Sequence, residues 1–172
     1  MSLVVELTII EQEKDDCMDD SLFLSLLGNV QYQMKKVIGC NQYTKRFGVS
    51  LSEKEALALL EARKNSLSEQ ERIEFGEGIL PKLIFAFCDS PFIYQDNYVD
   101  TLEALQDVFY LYKNESLDEL TDDELIEYMK EHFNGECQGS VEYLEDTCLE
   151  KFARSIRESS HSFIRKYEEE DE

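Results

Sequence analysis

The chain has 172 residues, a length that suits one domain, and its hydrophobic share of 42% is enough to build a core. Glycine and proline number only seven and two, which argues against a many-turned β-sandwich and favours long helices joined by short connections. The formal charge of −21, from 38 acidic and 17 basic side chains, disfavours contact with nucleic acid or anionic membranes, because both depend on Lys and Arg. A basic protein or a cation is electrostatically permitted.

The five cysteines indicate the cellular compartment. Their number is odd and no two lie close in sequence, whereas a disulfide framework in a short extracellular chain usually has an even number. Reduced thiols are typical of cytosolic proteins. The N-terminus carries neither a basic leader nor a small-residue cleavage site, and no apolar stretch approaches the length of a membrane span. We therefore expect a cytoplasmic protein with free thiols at Cys17, Cys40, Cys88, Cys137 and Cys148.

Residues 1–20 differ from the rest of the chain. The stretch LVVELTII at 3–10 is rich in β-branched side chains and predicts a short strand with Leu3, Val5, Leu7 and Ile9 on one face. The following EQEKDDCMDD contains six acids and indicates a solvated connection. We interpret residues 1–20 as an extended, acidic segment that precedes a helical domain.

Residues 22–47 predict the first helical segment, because apolar side chains recur at spacings of four and three. Gly28 and Gly39 each weaken the run by about 1 kcal/mol relative to alanine, so we expect a kinked helix or two shorter ones, with Gly48 as the stop. The apolar stripe consists of Leu22, Leu26, Val30, Met34 and Val37.

A second helix is predicted after Ser52, which forms a capping-box pair with Glu55. The stretch SEQERIEF that follows this helix permits two interpretations. It holds either another cap at Ser68 or a short strand at residues 73–75, and such a strand would pair with residues 3–10.

Residues 79–88, ILPKLIFAFC, predict the centre of the fold. Lys82 is the only charge in this stretch, so we expect neighbouring helices to cover it on nearly all sides. Pro81 suits the first turn of a helix, and Pro91 marks its end because the residue before a proline leaves helical geometry. The apolar side chains are Ile79, Leu80, Leu83, Ile84, Phe85, Phe87 and Cys88.

Gly76-Glu77-Gly78, directly before that helix, permits comparison with phosphate-binding turns. A dinucleotide fingerprint needs a third glycine after a strand, and a P-loop needs Gly-Lys-Ser/Thr. The chain has neither, and Glu77 would repel a phosphate. We interpret the two glycines as a tight entry into the helix.

Three more helices are predicted at 95–113, 122–134 and from 141 onward. Thr121 and Glu124 form a capping box for the second of these, and Ser140 caps the third. The inward face of the last helix is predicted to be Val141, Leu144, Cys148, Phe152 and Ile156. Residues 168–172, EEEDE, form a polar, acidic tail.

His132, Cys137 and Cys148 are the candidate metal ligands, with Glu136 adjacent. Zinc sites usually pair ligands at short spacing, because two ligands from one turn pre-organise the ion. Four residues separate His132 from Cys137 and ten separate Cys137 from Cys148, which matches no standard pattern. The spacing favours a structural interpretation, with Cys148 in a helix core and His132 at a helix end.

No catalytic residue and no cofactor site are predicted. A nucleophile needs a base, and the two histidines have no evident partner. The acidic pairs lack the spacing of a calcium loop. Among the tyrosines, Tyr94 and Tyr110 are the candidates to face outward as partner-binding anchors, although a half-buried rim with wet hydroxyl groups explains them equally.

Four stretches together carry a resemblance to a known family: CNQYTKRFG, LSEKEALALLEARKNSL, RIEFGEGILPKLIFAFCDSPFI and LDELTDDELIEYMKEHFNGECQGSVEYLE. They resemble a family of small uncharacterised proteins, a domain of unknown function, from Gram-positive anaerobic bacteria. The resemblance covers the chain from about Cys40 to Phe152. It implies a bacterial, cytoplasmic origin and supplies no catalytic or binding residue.

These observations together predict an all-α, single compact domain at 21–167, with five to seven helices around the helix at 79–88 and room for one minor pair of strands. The function favoured is a non-enzymatic interaction or regulatory module whose partner is another protein, without nucleic acid or membrane. The alternatives are an enzyme or metal-binding protein with a site assembled from distant residues, and an acidic mimic of nucleic acid. The sequence leaves the oligomeric state open.

Overall fold

The computed structural model describes residues 20–170, and it describes side chains from 21 to 160 apart from Phe23. Within this range there are six helices of eight or more residues and no strand, which confirms the all-α fold. None of these helices has the length and apolar character needed to cross a bilayer. The helices are α1 (Asp20–Gly39), α2 (Glu53–Glu69), α3 (Leu80–Phe87), α4 (Tyr98–Glu115), α5 (Asp122–Asn134) and α6 (Glu150–Glu170).

Short helical turns fill most of the connections. Asn41–Thr44 and Lys45–Phe47 follow α1, and Gln95–Asn97 precedes α4. Val141–Tyr143 and a π-helical turn, Leu144–Leu149, lead directly into α6. The predicted segment 3–10 lies outside the described residues, and the predicted domain boundaries at 20 and 168 stay predictions.

Helix α3 lies at the centre of the core, as its composition predicts. Leu80, Leu83, Ile84 and Phe87 have no exposed surface. Helices α1, α4 and α5 all contact α3, and the ring of Phe87 meets that of Phe133 in α5 edge-on, with centroids 5.4 Å apart. Because burial of each such side chain stabilises by about 1.5–3 kcal/mol, α3 contributes a large part of the gross burial energy.

One face of α3 is open, contrary to the prediction that its neighbours cover nearly all of it. Phe85 is 47% exposed, and Lys82 beside it is also exposed. The ring that meets Phe85 belongs to Tyr43, in the turn Asn41–Thr44, which is too short to cover a helix. The apolar run at 79–88 therefore predicted that this helix is buried, but it did not predict which side of the helix faces solvent.

The entry into α3 confirms a geometric role for the glycines. Gly76 and Gly78 both have positive φ, of 67° and 65°. A Cβ on Gly78 would overlap the side chains of Glu74 and Arg63. Glycine is thus required twice over, for the left-handed backbone and for the close approach of the chain to this charged pair.

Arg63 and Glu74 form a mostly buried ion pair that joins α2, the loop before α3, and α4. Arg63 Nε donates to Glu74 Oε1 at 2.6 Å, and the Tyr110 hydroxyl donates to the same oxygen at 2.6 Å. Burial, together with the neighbouring carboxylate, raises the pKa of Tyr110 well above its usual range, so the hydroxyl stays a neutral donor. The pair satisfies charges that would otherwise be costly inside the protein.

The strand predicted at residues 73–75 is wrong. Residues 72–75 form no strand, and they lie in a loop bounded by left-handed backbone at Glu71, with a φ of 53°, and at Gly76. Ile73 and Phe75 are 82% and 88% exposed. Arg72 fixes the loop by donating to Asn114 and Asp118 at the end of α4.

Helix α1 follows its predicted stripe over half its length. Met34 and Val37 are buried, whereas Leu22, Leu26 and Val30 are 51%, 47% and 41% exposed. The helix ends at Gly39, and Gly48, with a φ of 82°, closes the short turns that follow. The predicted division of residues 22–47 into shorter helices is confirmed.

The predicted caps at Ser52, Thr121 and Ser140 are all present. The stripe predicted after Ser140 is only partly correct. The buried residues are Leu144, Cys148, Leu149 and Ala153, and Phe152 and Ile156 are half-buried. The π-helical turn rotates the following residues about the axis, so the inward face shifts by about one position.

We predict that Phe87→Ala lowers the free energy of unfolding by about 3–5 kcal/mol, because it opens a cavity in a closed core. Phe85→Ala, on the same helix, removes a half-exposed ring and is expected to cost about 1 kcal/mol or less. Urea denaturation of both variants measures the difference. Equal losses would contradict the assignment of one buried and one open face to α3.

We also predict that Arg63→Ala lowers the free energy of unfolding by about 3 kcal/mol, because it leaves Glu74 mostly buried without its counter-charge. The matched control is Arg72→Ala. Asp118, its carboxylate partner, is exposed, so the loss is expected to stay near about 1 kcal/mol. Chemical denaturation of the two variants would refute the burial argument if Arg72→Ala cost as much as Arg63→Ala.

Candidate functional site

The candidate site lies where the end of α5 meets the π-helical turn before α6. His132 is in the last turn of α5, and Glu136 and Cys137 follow in the reversal after Gly135. Backbone hydrogen bonds from Cys137 N to His132 O and from Gly139 N to Phe133 O fold this reversal back onto the helix. Cys148 reaches the same place from the π-helical turn.

Short distances join these side chains. Glu136 Oε1 lies 2.7 Å from His132 Nδ1 and 3.1 Å from Cys148 Sγ. The donor atoms of His132, Glu136 and Cys148 all lie within 4.8 Å of one another. Cys137 Sγ is 3.5 Å from Cys148 Sγ but does not belong to that mutually close set. The structure thus brings His132 and Cys148 together with Glu136, the acid that the sequence places beside them, and leaves Cys137 in contact with Cys148 alone.

The two thiols are buried and resist ionisation. Burial raises the pKa of the Cys148 thiol to about 12, with further contributions from Glu136 and Cys137. Burial also raises the pKa of Cys137. The hydrogen bond from Cys148, followed by that from His132, lowers the pKa of Glu136. Both cysteines are therefore neutral thiols near pH 7, which argues against a cysteine nucleophile here.

The donor set suits a thiophilic divalent cation. Imidazole, carboxylate and thiolate are the ligands that zinc takes in proteins, at about 2.3 Å to sulfur and about 2.0–2.2 Å to nitrogen and oxygen. Tetrahedral ligands at those lengths lie about 3.3–3.8 Å apart. Each contact is a little shorter than its own pair of ligands needs: 2.7 Å between nitrogen and oxygen against about 3.3 Å, 3.1 Å between sulfur and oxygen against about 3.5 Å, and 3.5 Å between the two sulfurs against about 3.8 Å. Small outward movements of side chains would therefore admit the ion.

Tyr128 supports the cluster from behind. Its ring lies against the imidazole of His132 with centroids 4.2 Å apart, and it stacks on Phe152 at 4.4 Å. Its hydroxyl donates to the backbone carbonyl of Cys148 at 3.3 Å. One side chain therefore contacts both arms of the site, and orienting contacts of this kind tune metal ligands. The sequence did not predict this role for Tyr128, because its distance along the chain from His132 and Cys148 matches no ligand motif.

The two tyrosines proposed as outward-facing anchors have different positions. Tyr94 is 60% exposed, and its role in partner binding stays a prediction. The prediction that Tyr110 faces outward is wrong, since it is 1% exposed. Its position on α4 turns it toward Glu74, whose carboxylate satisfies the buried hydroxyl.

A groove lies beside α2. Its volume is about 850 Å³, and Leu57, Leu60, Leu67 and Val30 form apolar parts of its lining. Arg63 and Glu74, the charged pair described above, also line it. Within the groove these two charges satisfy each other, and its other charged lining residues are Glu61, Lys64 and Arg72.

Comparison with protein families gives the chain its classification. Residues 36–162 match a family described as a family of unknown function (DUF6323). Searches of curated proteins and of solved structures gave no match. The family match covers well over half of the chain, so the chain belongs to this family, and the resemblance predicted from its sequence is confirmed. An origin in Gram-positive anaerobic bacteria stays a prediction.

Proposed function

We propose that this family member is a non-enzymatic regulatory module that binds a thiophilic divalent cation, with zinc the best fit, through His132, Glu136 and Cys148. One observation supports the proposal above the others. Imidazole, carboxylate and thiol groups from two separate parts of the chain converge within 4.8 Å of one another. Two of the three groups, the imidazole and the thiol, are ligand types that a cluster of surface acids alone would not supply.

The pKa shifts at the site agree with such a role. A divalent cation favours the thiolate form, so it supplies the charge compensation that the buried Cys148 lacks. Glu136 is already held as a carboxylate by its two neighbours. A cation bound here would therefore favour the deprotonated forms of both Cys148 and Glu136.

Cys137 decides between a structural and a catalytic cation. Catalytic zinc sites keep one position open, whereas structural sites are closed by four protein ligands. The sulfur of Cys137 is 3.5 Å from that of Cys148, near the separation of two ligands on one zinc ion. Cys137 lies outside the mutually close set of His132, Glu136 and Cys148, so it becomes the fourth ligand only when its side chain turns toward them. That movement closes the site, which favours a structural or regulatory ion over an enzyme.

We predict that the full chain, stripped of metal by a chelator under reducing conditions, binds one equivalent of zinc and unfolds at a higher temperature with it. Cys148→Ser removes a central ligand and is expected to lower zinc affinity by at least about tenfold. Cys88→Ser is the matched control, because Cys88 is also a buried thiol but lies at the end of α3, in the core. Equilibrium dialysis with elemental analysis measures both.

Cobalt substitution tests the ligand set separately. Thiolate ligation gives Co²⁺ an intense sulfur-to-metal absorption, which is expected to weaken in Cys137→Ser and to disappear with Cys148→Ser. Retention of zinc by Cys148→Ser, or equal loss in Cys88→Ser, would show that these residues do not form the site. Circular dichroism of each variant confirms that a loss is not caused by unfolding.

A further inference from the structure

A second surface, far in sequence from the candidate metal ligands, combines aromatic and basic side chains. It is formed by Tyr43, Phe47 and Phe85 with Lys45 and Arg46, and we call it the aromatic–basic surface. The ring of Tyr43 lies 5.6 Å from that of Phe47 and 5.4 Å from that of Phe85. All three rings are exposed over roughly two-fifths to one-half of their area. Single exposed aromatics are ordinary, whereas three in contact form a continuous patch.

Arg46 extends the patch with a fixed positive charge. Its guanidinium lies over the ring of Tyr43 at 4.3 Å, and its Nε donates to the Tyr43 carbonyl at 3.0 Å. This arrangement holds the guanidinium in place and uses only one of its five donors. Arginine beside aromatic rings is the combination most enriched at the energetic centres of protein interfaces.

Lys45 and Arg46 form no ion pair with any carboxylate among the described side chains. Lys82, one turn before Phe85 on α3, is in contrast paired with Asp123 at 2.8 Å. In a chain with 38 acids and 17 bases, two adjacent cations that no carboxylate of side chains 21–160 pairs with are a local excess of positive charge. Their charge suits a carboxylate ligand.

The backbone that carries the surface is held rigidly. The Asn41 amide donates to Leu51 O at 2.7 Å and accepts from Leu51 N at 2.8 Å. The Gln95 amide bonds both backbone groups of Ser50, at 2.8 and 2.9 Å. The exposed Tyr94 precedes Gln95, so this predicted anchor belongs to a segment tied to the same turn. A pre-organised surface loses little conformational entropy on binding.

We propose that the aromatic–basic surface binds a peptide segment of a partner protein that presents an apolar or aromatic anchor flanked by carboxylates. The anchor packs against Tyr43, Phe47 and Phe85, and the carboxylates pair with Lys45 and Arg46. Charge complementarity selects the acidic flank, because the acidic remainder of the chain would repel one placed elsewhere. Stacked rings beside Arg would also suit nucleic-acid bases. A phosphate backbone, however, extends its charge beyond Lys45 and Arg46 over a protein of net charge −21, whereas one or two carboxylates beside an anchor stay next to those two cations.

Selection of phage-displayed random peptides for binding to the immobilised full chain tests this proposal. Selected peptides are expected to carry Asp or Glu next to Phe, Trp, Leu or Ile. Binding of a selected synthetic peptide is expected to weaken about tenfold or more with Arg46→Glu and with Phe85→Ala, and to weaken with added salt. The controls Arg154→Glu and Tyr143→Ala change an exposed arginine and an exposed tyrosine elsewhere and are expected to bind normally.

Three results would overturn the proposal. They are peptides without an acidic flank, equal binding by Arg46→Glu, and preferential binding of single-stranded oligonucleotides through the same residues. Unfolding measurements on Phe85→Ala and Arg46→Glu establish that the variants remain folded. Cys148→Ser is expected to bind the peptide normally, so failure of the metal site and failure of this surface are distinguishable.

Discussion

The burial of α3 is the constraint on which the rest of the structure depends. A helix of eight residues has little stability by itself, since nucleation is costly and few hydrogen bonds offset it. It exists because Leu80, Leu83, Ile84 and Phe87 are removed from water by α1, α4 and α5. The reverse also holds, because those helices lose a shared apolar surface without it. The core is therefore cooperative around one short segment.

Both proposed surfaces derive their geometry from this helix. On its buried side, Phe87 packs on Phe133, the residue after His132, and so fixes the end of α5 that carries the candidate metal ligands. On its open side, Phe85 meets Tyr43 and completes the aromatic–basic surface. Two neighbouring positions of one helix thus connect the core to two sites. The sites can nevertheless be altered separately, because their outer residues belong to different segments.

Local signals made much of the fold predictable. The capping boxes at Ser52 and Thr121, Pro81 in the first turn and the apolar run at 79–88 depend on residues near in sequence, and they are confirmed. The alternative cap at Ser68 is wrong, because α2 continues through that residue to Glu69. The exposure of Phe85 and the burial of Tyr110 were not predictable, because each depends on which helix face a neighbour covers. The metal candidates were named but not joined. A tight reversal after Gly135 and a π-helical turn bring Cys148 to His132. Neither feature can be predicted from the spacing of apolar residues in a regular α-helix.

Native-state hydrogen exchange tests the central role of α3 most directly. The amides of Leu83 and Cys88 donate within the helix to Ile79 and Ile84, at 2.9 and 3.1 Å. If α3 is the shared centre of the core, these amides exchange only when the whole domain unfolds, with a free energy equal to that from denaturation. Exchange of α3 at a lower free energy than α4 or α5 would show that the surrounding helices hold together without it, and would contradict the account.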